Sequence, residues 1–85
     1  MKQFDYTIRD EDGIHARPAG MLVKKMQEFA SEVTISKGDK QASAKKLFQV
    51  MKLGVKCNDT ITVAADGADE DAALAEAKAI LEANL

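Results

Sequence analysis

Cysteine, proline and tryptophan are scarce in this chain of 85 residues, which has one cysteine, one proline and no tryptophan. A single thiol, Cys57, excludes an internal disulfide and argues against a zinc site built on several thiolates. An unpaired thiol suits the cytoplasm. No apolar run approaches the ~18 residues of a membrane span, and the first residues lack the apolar segment of a signal peptide. We therefore expect a cytoplasmic protein that does not insert into a membrane.

The shortness of the chain limits what it can do alone. A domain of this size buries about 60–65% of the surface that its unfolded chain exposes, which allows one modest core and no deep pocket with a lid. A content of 46% apolar and 31% charged residues is typical of a globular chain. We expect residues 1–85 to form one domain that acts as a binding, carrier or interaction module rather than a self-contained enzyme.

Charge is unevenly distributed along the chain, although the net charge is only −2. Residues 1–16 sum to −2, residues 17–56 to +6 and residues 58–85 to −6. The basic middle segment predicts an encounter with an acidic partner. Nucleic acid is not the expected partner, because the chain is acidic overall and has neither a stacking surface of aromatic residues nor an arginine-rich recognition helix.

The spacing of apolar residues predicts four strands and three helices. Alternation at Phe4, Tyr6 and Ile8 is typical of a half-buried strand, and residues 16–30 have apolar residues at helical spacing. The other expected elements are a solvated acidic turn at residues 10–13, strands at 33–35 and 41–43, a short helix at 47–53, a strand at 60–64 and a helix with Asp69 as its N-cap. Because three helices need one sheet face to cover, this β-α-β-β-α-β-α order predicts an α+β fold, an open-faced two-layer β-sandwich with a four-stranded antiparallel sheet.

The one histidine of the chain lies where a predicted loop becomes the first helix. The run Gly13-Ile14-His15-Ala16-Arg17-Pro18-Ala19 places His15 at or beside the N-cap. Helix N-termini bind anions through unpaired N–H groups and a partial positive charge. A ring nitrogen of His15 could accept a phosphoryl group, with the N–H groups of Ala16 and Arg17 and the Arg17 guanidinium stabilising the new charge. From these residues alone, a solvated surface histidine is the commoner explanation.

Three separated segments resemble the HPr family, the histidine-containing phosphocarriers of the bacterial sugar phosphotransferase system. Residues 13–19 resemble its active-site signature, Leu-Phe-Gln-Val-Met-Lys-Leu-Gly at residues 47–54 resembles its second helix, and residues 60–70 resemble its last strand and third-helix start. The resemblance implies a phosphoryl group on His15, supported by Arg17, that comes from phosphorylated enzyme I and passes to a histidine of an enzyme IIA domain. It implies a monomeric, stoichiometric carrier without a metal ion or cofactor.

An apolar patch on the second helix is expected to bind the partners. Leu47 and Met51 are one turn apart with Phe48 beside them, and Met21 stands alone on the charged face of the first helix. Methionine suits a surface that serves several partners. The expected partner-binding surface consists of Met21, Lys24, Leu47, Phe48, Gln49, Met51 and Lys52. Its expected positive rim consists of Arg17, Lys24, Lys25, Lys45, Lys46 and Lys52. Burial in the core is the alternative for Leu47, Phe48 and Met51.

Lys46 departs from the family pattern. Many members from Gram-positive bacteria carry at this position a serine that a kinase phosphorylates, and a lysine cannot undergo that reaction. Regulation by seryl phosphorylation at position 46 is therefore not expected, and the second helix lacks a hydroxyl N-cap. Two alternatives to a carrier in sugar uptake stay open. One is a regulatory interaction module that binds a transcriptional regulator or an enzyme, and the other is a carrier of a nitrogen-related phosphotransferase system.

Overall fold

The computed structural model describes all 85 residues. Its strands are β1 (Lys2–Thr7), β2 (Glu32–Lys37), β3 (Lys40–Ser43) and β4 (Thr60–Asp66), and its helices are α1 (Ala16–Met26), α2 (Leu47–Lys52) and α3 (Glu70–Asn84). The predicted β-α-β-β-α-β-α order and the open-faced α+β sandwich are confirmed. None of the helices combines the length and apolar character needed to span a lipid bilayer.

The sheet is antiparallel throughout, with the strands in the order β1-β4-β2-β3. Val63 of β4 lies opposite Phe4 on one side and opposite Ile35 on the other, so β4 is an interior strand. Ile61 and Val63 are buried, whereas Thr60 is exposed. This alternation fixes the register, because a slip by one residue would turn the buried face of β4 towards solvent.

The helices cover one face of the sheet and enclose a core of 20 buried apolar residues. α3 packs on β1 and β4, while α1 packs against α2 and α3. The sheet contributes Ile35 and Val63 to the core, α1 contributes Leu22 and Met26, and α3 contributes Leu81, each at most 1% exposed. Removal of these side chains from water is the main stabilising contribution to the fold.

Helix α1 ends four residues earlier than the apolar spacing predicts. It was expected to reach residue 30, but it ends at Met26, and Ala30 is exposed. The N–H of Phe29 donates to a carbonyl three residues back, which tightens the chain into a turn. The N–H groups of Ala30 and Ser31 donate to the carboxylate of Asp69. A tertiary contact has therefore replaced the last turn of the helix.

Asp69 occupies the N-cap position of α3, as predicted, but its side chain makes no capping bond there. Its oxygens instead accept hydrogen bonds from the N–H of Ala30 at 2.8 Å, from the N–H of Ser31 at 2.9 Å and from the Ser31 hydroxyl. These bonds, that of the Ser31 hydroxyl above all, lower the pKa of Asp69 to about 2. Asp69 thus joins the segment after α1 to the start of α3.

Replacing Asp69 by alanine should lower the Tm by several degrees at neutral pH, because three donors lose their acceptor. The pKa of Asp69 in the folded protein, about 2, lies below its ordinary value of 3.8. Its stabilising contribution is therefore complete above the ordinary value and is lost as the pH falls towards 2. Thermal unfolding of Asp69→Ala and of the unaltered protein between pH 7 and pH 2 measures this contribution. The difference between their Tm values should become smaller towards acid pH.

Glu76→Ala is the matched control for that comparison, since Glu76 is an exposed acid of α3 without an ion pair or side-chain hydrogen bond. Its Tm should follow that of the unaltered protein at every pH. A Tm difference for Asp69→Ala that stays constant down to pH 2 would contradict the assignment.

Candidate functional site

The segment between β1 and α1, residues 8–15, carries His15 and is held by backbone hydrogen bonds to two distant parts of the chain. The N–H of Ile14 donates to the carbonyl of Val55 at 3.1 Å. The N–H of Asp10 donates to the carbonyl of Leu85 at 3.0 Å. Both ends of the acidic turn are thereby fixed, and so is the point at which α1 begins.

Gly13 allows this segment to lie directly against the loop that contains Val55. Its φ of +66° lies in the left-handed region that favours glycine. A Cβ at this position would lie 2.3 Å from the carbonyl oxygen of Val55 and 2.7 Å from the Cα of Lys56. Any other residue would therefore push the segment, and His15 with it, away from the body of the protein.

His15 is the N-cap of α1, with an extended backbone conformation (φ −119°, ψ 173°) and no capping bond from its side chain. Its carbonyl accepts the N–H of Ala19 at 3.0 Å, which begins the helix. The N–H groups of Ala16 and Arg17 have no acceptor within the chain, and Pro18 has no N–H to leave unpaired. Two free donors thus lie directly after His15 at the positive end of the helix.

Arg17 is exposed and forms none of the ion pairs in the structure. Its guanidinium needs to break no existing contact to bind an anion beside His15. A guanidinium binds phosphate oxygens with two parallel hydrogen bonds, which makes it well suited to a phosphoryl group. The site therefore offers a ring nitrogen, two backbone donors and a free cation on one small area of surface.

Asp10 also lies beside His15, a contact that the sequence pattern did not predict. Its Oδ2 lies 3.7 Å from Nε2 of His15, and the two side chains are 30% and 42% exposed. Residues 10–13 were expected to form a solvated turn. The spacing of five residues between the two side chains matches no regular element, so only the reversal of the chain at Gly13 brings them together. The one feature of the sequence that could have indicated this contact is an acidic residue a few positions before Gly13 and His15.

Asp10, Asp12 and His15 are the residues that could hold a metal ion. Each places a ligand atom within 4.8 Å of the other two. Two ligands of one Zn²⁺ ion lie roughly 4 Å apart or less, because the bonds are about 2.1 Å long. Asp10 and His15 already lie 3.7 Å apart, but Asp12 has no oxygen within 4.0 Å of a ring nitrogen and would have to move closer to share an ion with His15. Two carboxylates next to the imidazole instead make one side of the ring negative, opposite in sign to the helix end.

The apolar residues of α2 divide between the core and the surface. Val50 is 1% exposed, whereas Phe48 is 81% exposed and Met51 is 37% exposed. Leu47 is half-buried and packs against the edge of the core, and Met21 of α1 is 46% exposed. Burial in the core, the alternative considered for these side chains, is therefore wrong for Phe48 and Met51 and holds in part for Leu47.

The expected rim of six cations is reduced to four. Lys25 pairs with Glu28 at 3.4 Å, and Lys45 donates to the carbonyl of Phe29 at 2.7 Å, so both are engaged within the chain. The four members of this rim whose side chains make no ion pair or hydrogen bond are Arg17, Lys24, Lys46 and Lys52. These four are exposed and available to an acidic partner.

A family model described as the PTS HPr component phosphorylation site matches residues 2–83 of the chain. The chain belongs to the HPr family. It is 45% identical over 85 residues to the phosphocarrier protein HPr of Mycoplasma genitalium, covering 99% of this chain and 97% of the relative. Membership of the family makes it a stoichiometric phosphocarrier of the phosphotransferase system and not a catalytic enzyme.

Solved structures of the family show the same fold. HPr from Thermoanaerobacter tengcongensis matches with a TM-score of 0.92 at 31% identity, covering 98% of this chain and 93% of that one. A mycoplasma histidine-containing phosphocarrier protein matches with a TM-score of 0.91 at 38% identity, covering 93% of this chain and 90% of that one. The resemblance seen in the sequence is therefore confirmed for both family and fold.

In this HPr-family chain, Gln49 has a structural contact as well as an exposed position. Its Oε1 accepts the N–H of Ser43 at 3.0 Å. Lys46, the N-cap of α2, makes no capping bond through its side chain, as its replacement of a hydroxyl residue predicts. The side chain of Gln49 thus helps to hold the chain where it enters α2, while its NH₂ group stays free.

His15 lies on open surface, outside the grooves of the molecule. The largest groove, of about 400 Å³, runs along β2 and β3 and is lined by Glu32, Val33, Thr34, Gln41, Ala42, Ser43, Lys45 and Gln49. His15 does not line either of the two smaller grooves. A reacting partner can therefore reach the ring directly, and the chain itself does not shield the ring from water.

Phe48→Ala should leave the free energy of unfolding nearly unchanged, because the ring of Phe48 is 81% exposed. Val50→Ala should lower it by roughly 2 kcal/mol, because the side chain of Val50 is buried and its loss leaves a cavity. Urea unfolding of the two variants measures the difference. If the two substitutions were equally destabilising, Phe48 would be part of the core and not of the surface.

Proposed function

We propose that His15 is the residue that carries the phosphoryl group. It is the one histidine of a chain that belongs to a phosphohistidine carrier family. The observation that carries the proposal is its place at the N-cap of α1, followed by two N–H groups without acceptors. The N–H groups of Ala16 and Arg17, together with the guanidinium of Arg17, neutralise the charge that arrives.

The nitrogen that takes the phosphoryl group is Nδ1. Nε2 faces Oδ2 of Asp10 at 3.7 Å, and a phosphoryl group bonded there would be repelled by that carboxylate. The lone pair of Nδ1 forms the new nitrogen–phosphorus bond. The bond between phosphorus and the donor atom breaks, and its electron pair returns to the donor. The chemistry needs positioning and charge stabilisation more than any further reactive group of this chain.

The donor in this proposal is phosphorylated enzyme I, and the acceptor is a histidine of an enzyme IIA domain. Both partners use the same surface in turn, formed by Met21, Lys24, Leu47, Phe48, Gln49, Met51 and Lys52. The exposed Phe48 and Met51 supply apolar area that adapts to two different partners. The free cations around them favour fast encounter with acidic surfaces. Such a surface also suits transcriptional regulators as further partners.

The carrier in this proposal is a cytoplasmic monomer that is not regulated by seryl phosphorylation at position 46. Lys46 stands there, exposed and positively charged, at the start of α2. A regulatory module that transfers no phosphoryl group would need neither a free Arg17 nor unpaired N–H groups at the N-terminus of α1. The role of a phosphoryl carrier therefore accounts for more features of the site than a regulatory module does.

Incubation with phosphoenolpyruvate and enzyme I should give one acid-labile, base-stable phosphoryl group per chain, and none in His15→Ala. Arg17→Ala should slow its formation on the order of tenfold, since a charge-assisted hydrogen bond to the phosphoryl group contributes about 1.5–3 kcal/mol. Lys78→Ala, which removes an exposed cation of α3, should have no effect. Phosphate that persists in His15→Ala would overturn the assignment of the carrier residue.

Lys46→Ser should raise the KM of enzyme I for this protein a few-fold at low salt. The charge of Lys46 attracts an acidic partner only while it is weakly screened, and the Debye length is about 10 Å at 0.1 M salt. Phosphoryl-transfer rates measured from 0.02 to 0.5 M salt should converge for the two proteins. Lys78→Ser serves as the control for net charge. An equal KM at the lowest salt would show that Lys46 takes no part in the encounter.

A further inference from the structure

We propose that Asp10 is a positioning residue that selects which nitrogen of His15 becomes phosphorylated. The proposal rests on the proposed function of His15. Its basis is the contact of 3.7 Å between Oδ2 of Asp10 and Nε2 of His15. The side chain of His15 makes no hydrogen bond or ion pair with any other residue, and Asp10 has the only carboxylate within 4.0 Å of a ring nitrogen.

Asp10 is itself held firmly enough to act in this way. Its Oδ1 accepts the N–H of Asp12 at 2.8 Å. Its carbonyl accepts the N–H of Gly13 at 2.9 Å, and its N–H donates to the carbonyl of Leu85 at 3.0 Å. One carboxylate oxygen is therefore fixed by the turn, and the other is left to face the imidazole. Asp12 contributes negative charge nearby but has no oxygen within 4.0 Å of a ring nitrogen.

A carboxylate beside Nε2 determines where a neutral imidazole carries its single proton. The proton is stabilised on Nε2, where it points at the negative oxygen, and the lone pair is then left on Nδ1. The same arrangement orients the histidines of many metal sites, where a carboxylate holds one ring nitrogen so that the other is presented to the ligand. Here the nitrogen presented to a phosphoryl donor is Nδ1.

The carboxylate of Asp10 faces the protonated Nε2 throughout the transfer. When the bond from Nδ1 to phosphorus forms and the donor bond breaks, the proton on Nε2 stays in place and the ring becomes cationic. The carboxylate of Asp10 faces that new positive charge. When the phosphoryl group leaves for the next partner, the electron pair of the bond returns to Nδ1 and the ring is neutral again. No proton has to leave or enter the ring in either direction.

The first test determines which ring nitrogen of His15 carries the proton in the unphosphorylated protein. It uses ¹⁵N NMR at an alkaline pH, where an imidazole is neutral. The form with its proton on Nε2 should predominate. In Asp10→Asn the form with its proton on Nδ1 should increase several-fold. Asparagine keeps an oxygen for the N–H of Asp12, so the turn is retained. Glu11→Gln, which removes one charge from the same turn at an exposed position, should behave like the unaltered protein.

The second test uses phosphoramidate, which phosphorylates histidine without enzyme I. Its phosphorus–nitrogen bond breaks and ammonia leaves as the bond to the ring forms. Alkaline hydrolysis followed by chromatography separates the two phosphohistidine isomers. The unaltered protein and Glu11→Gln should give the Nδ1 isomer, Asp10→Asn should give a mixture, and Asp10→Glu should restore most of the selectivity.

Unchanged proton positions and isomer ratios in Asp10→Asn would overturn the proposal, and so would an equal change in Glu11→Gln. Neither measurement involves enzyme I. A failure of transfer from enzyme I would therefore count against the proposed function alone, while a changed isomer ratio in Asp10→Asn would still support the role of Asp10.

Discussion

The contact between residues 13–14 and Val55 is the constraint on which the proposed phosphorylation site depends. The N–H of Ile14 reaches the carbonyl of Val55 only because Gly13 has no side chain to keep the two segments apart. That contact sets where α1 begins and therefore where its unpaired N–H groups point. The site is thus built largely from backbone, positioned by a glycine, and the side chains of His15 and Arg17 are added to a geometry that already exists.

The surface around His15 shows how a chain with one small core serves a transfer reaction. Core packing uses Val50 of α2 and Leu53, the residue after α2, and leaves Phe48 and Met51 outside. The cations expected to form the positive rim also fall into two groups. Lys25 and Lys45 bind other parts of the chain, whereas Arg17 is free. No groove encloses His15, so water is excluded only when a partner covers the site. In the proposed transfer, the partner therefore supplies the enclosed half of the reaction centre.

Local patterns in the sequence predicted the elements, the buried faces and the place of His15, because period-2 and period-3.6 spacing reflect burial directly. They failed where a side chain bonds to backbone far along the chain. Asp69 accepts bonds from residues 30 and 31 instead of capping α3, and those bonds shorten α1. Asp10 meets His15 through a reversal at Gly13 that no periodicity records. Both contacts come from tertiary folding, which single-sequence spacing does not contain.

The charge around His15 is positive on one side and negative on the other, and both signs can serve a phosphoryl carrier. In the proposed function, the helix end and Arg17 stabilise the bound phosphoryl group, but a site with cations alone would bind it too tightly. Tight binding of the phosphorylated state lowers its energy and raises the barrier to donation. Asp10 and Asp12 act on the two parts of the phosphorylated residue in opposite senses, because their carboxylates attract the cationic ring but repel the phosphoryl oxygens. Since the group must be accepted from one partner and surrendered to another, a balance of opposite charges keeps both steps accessible.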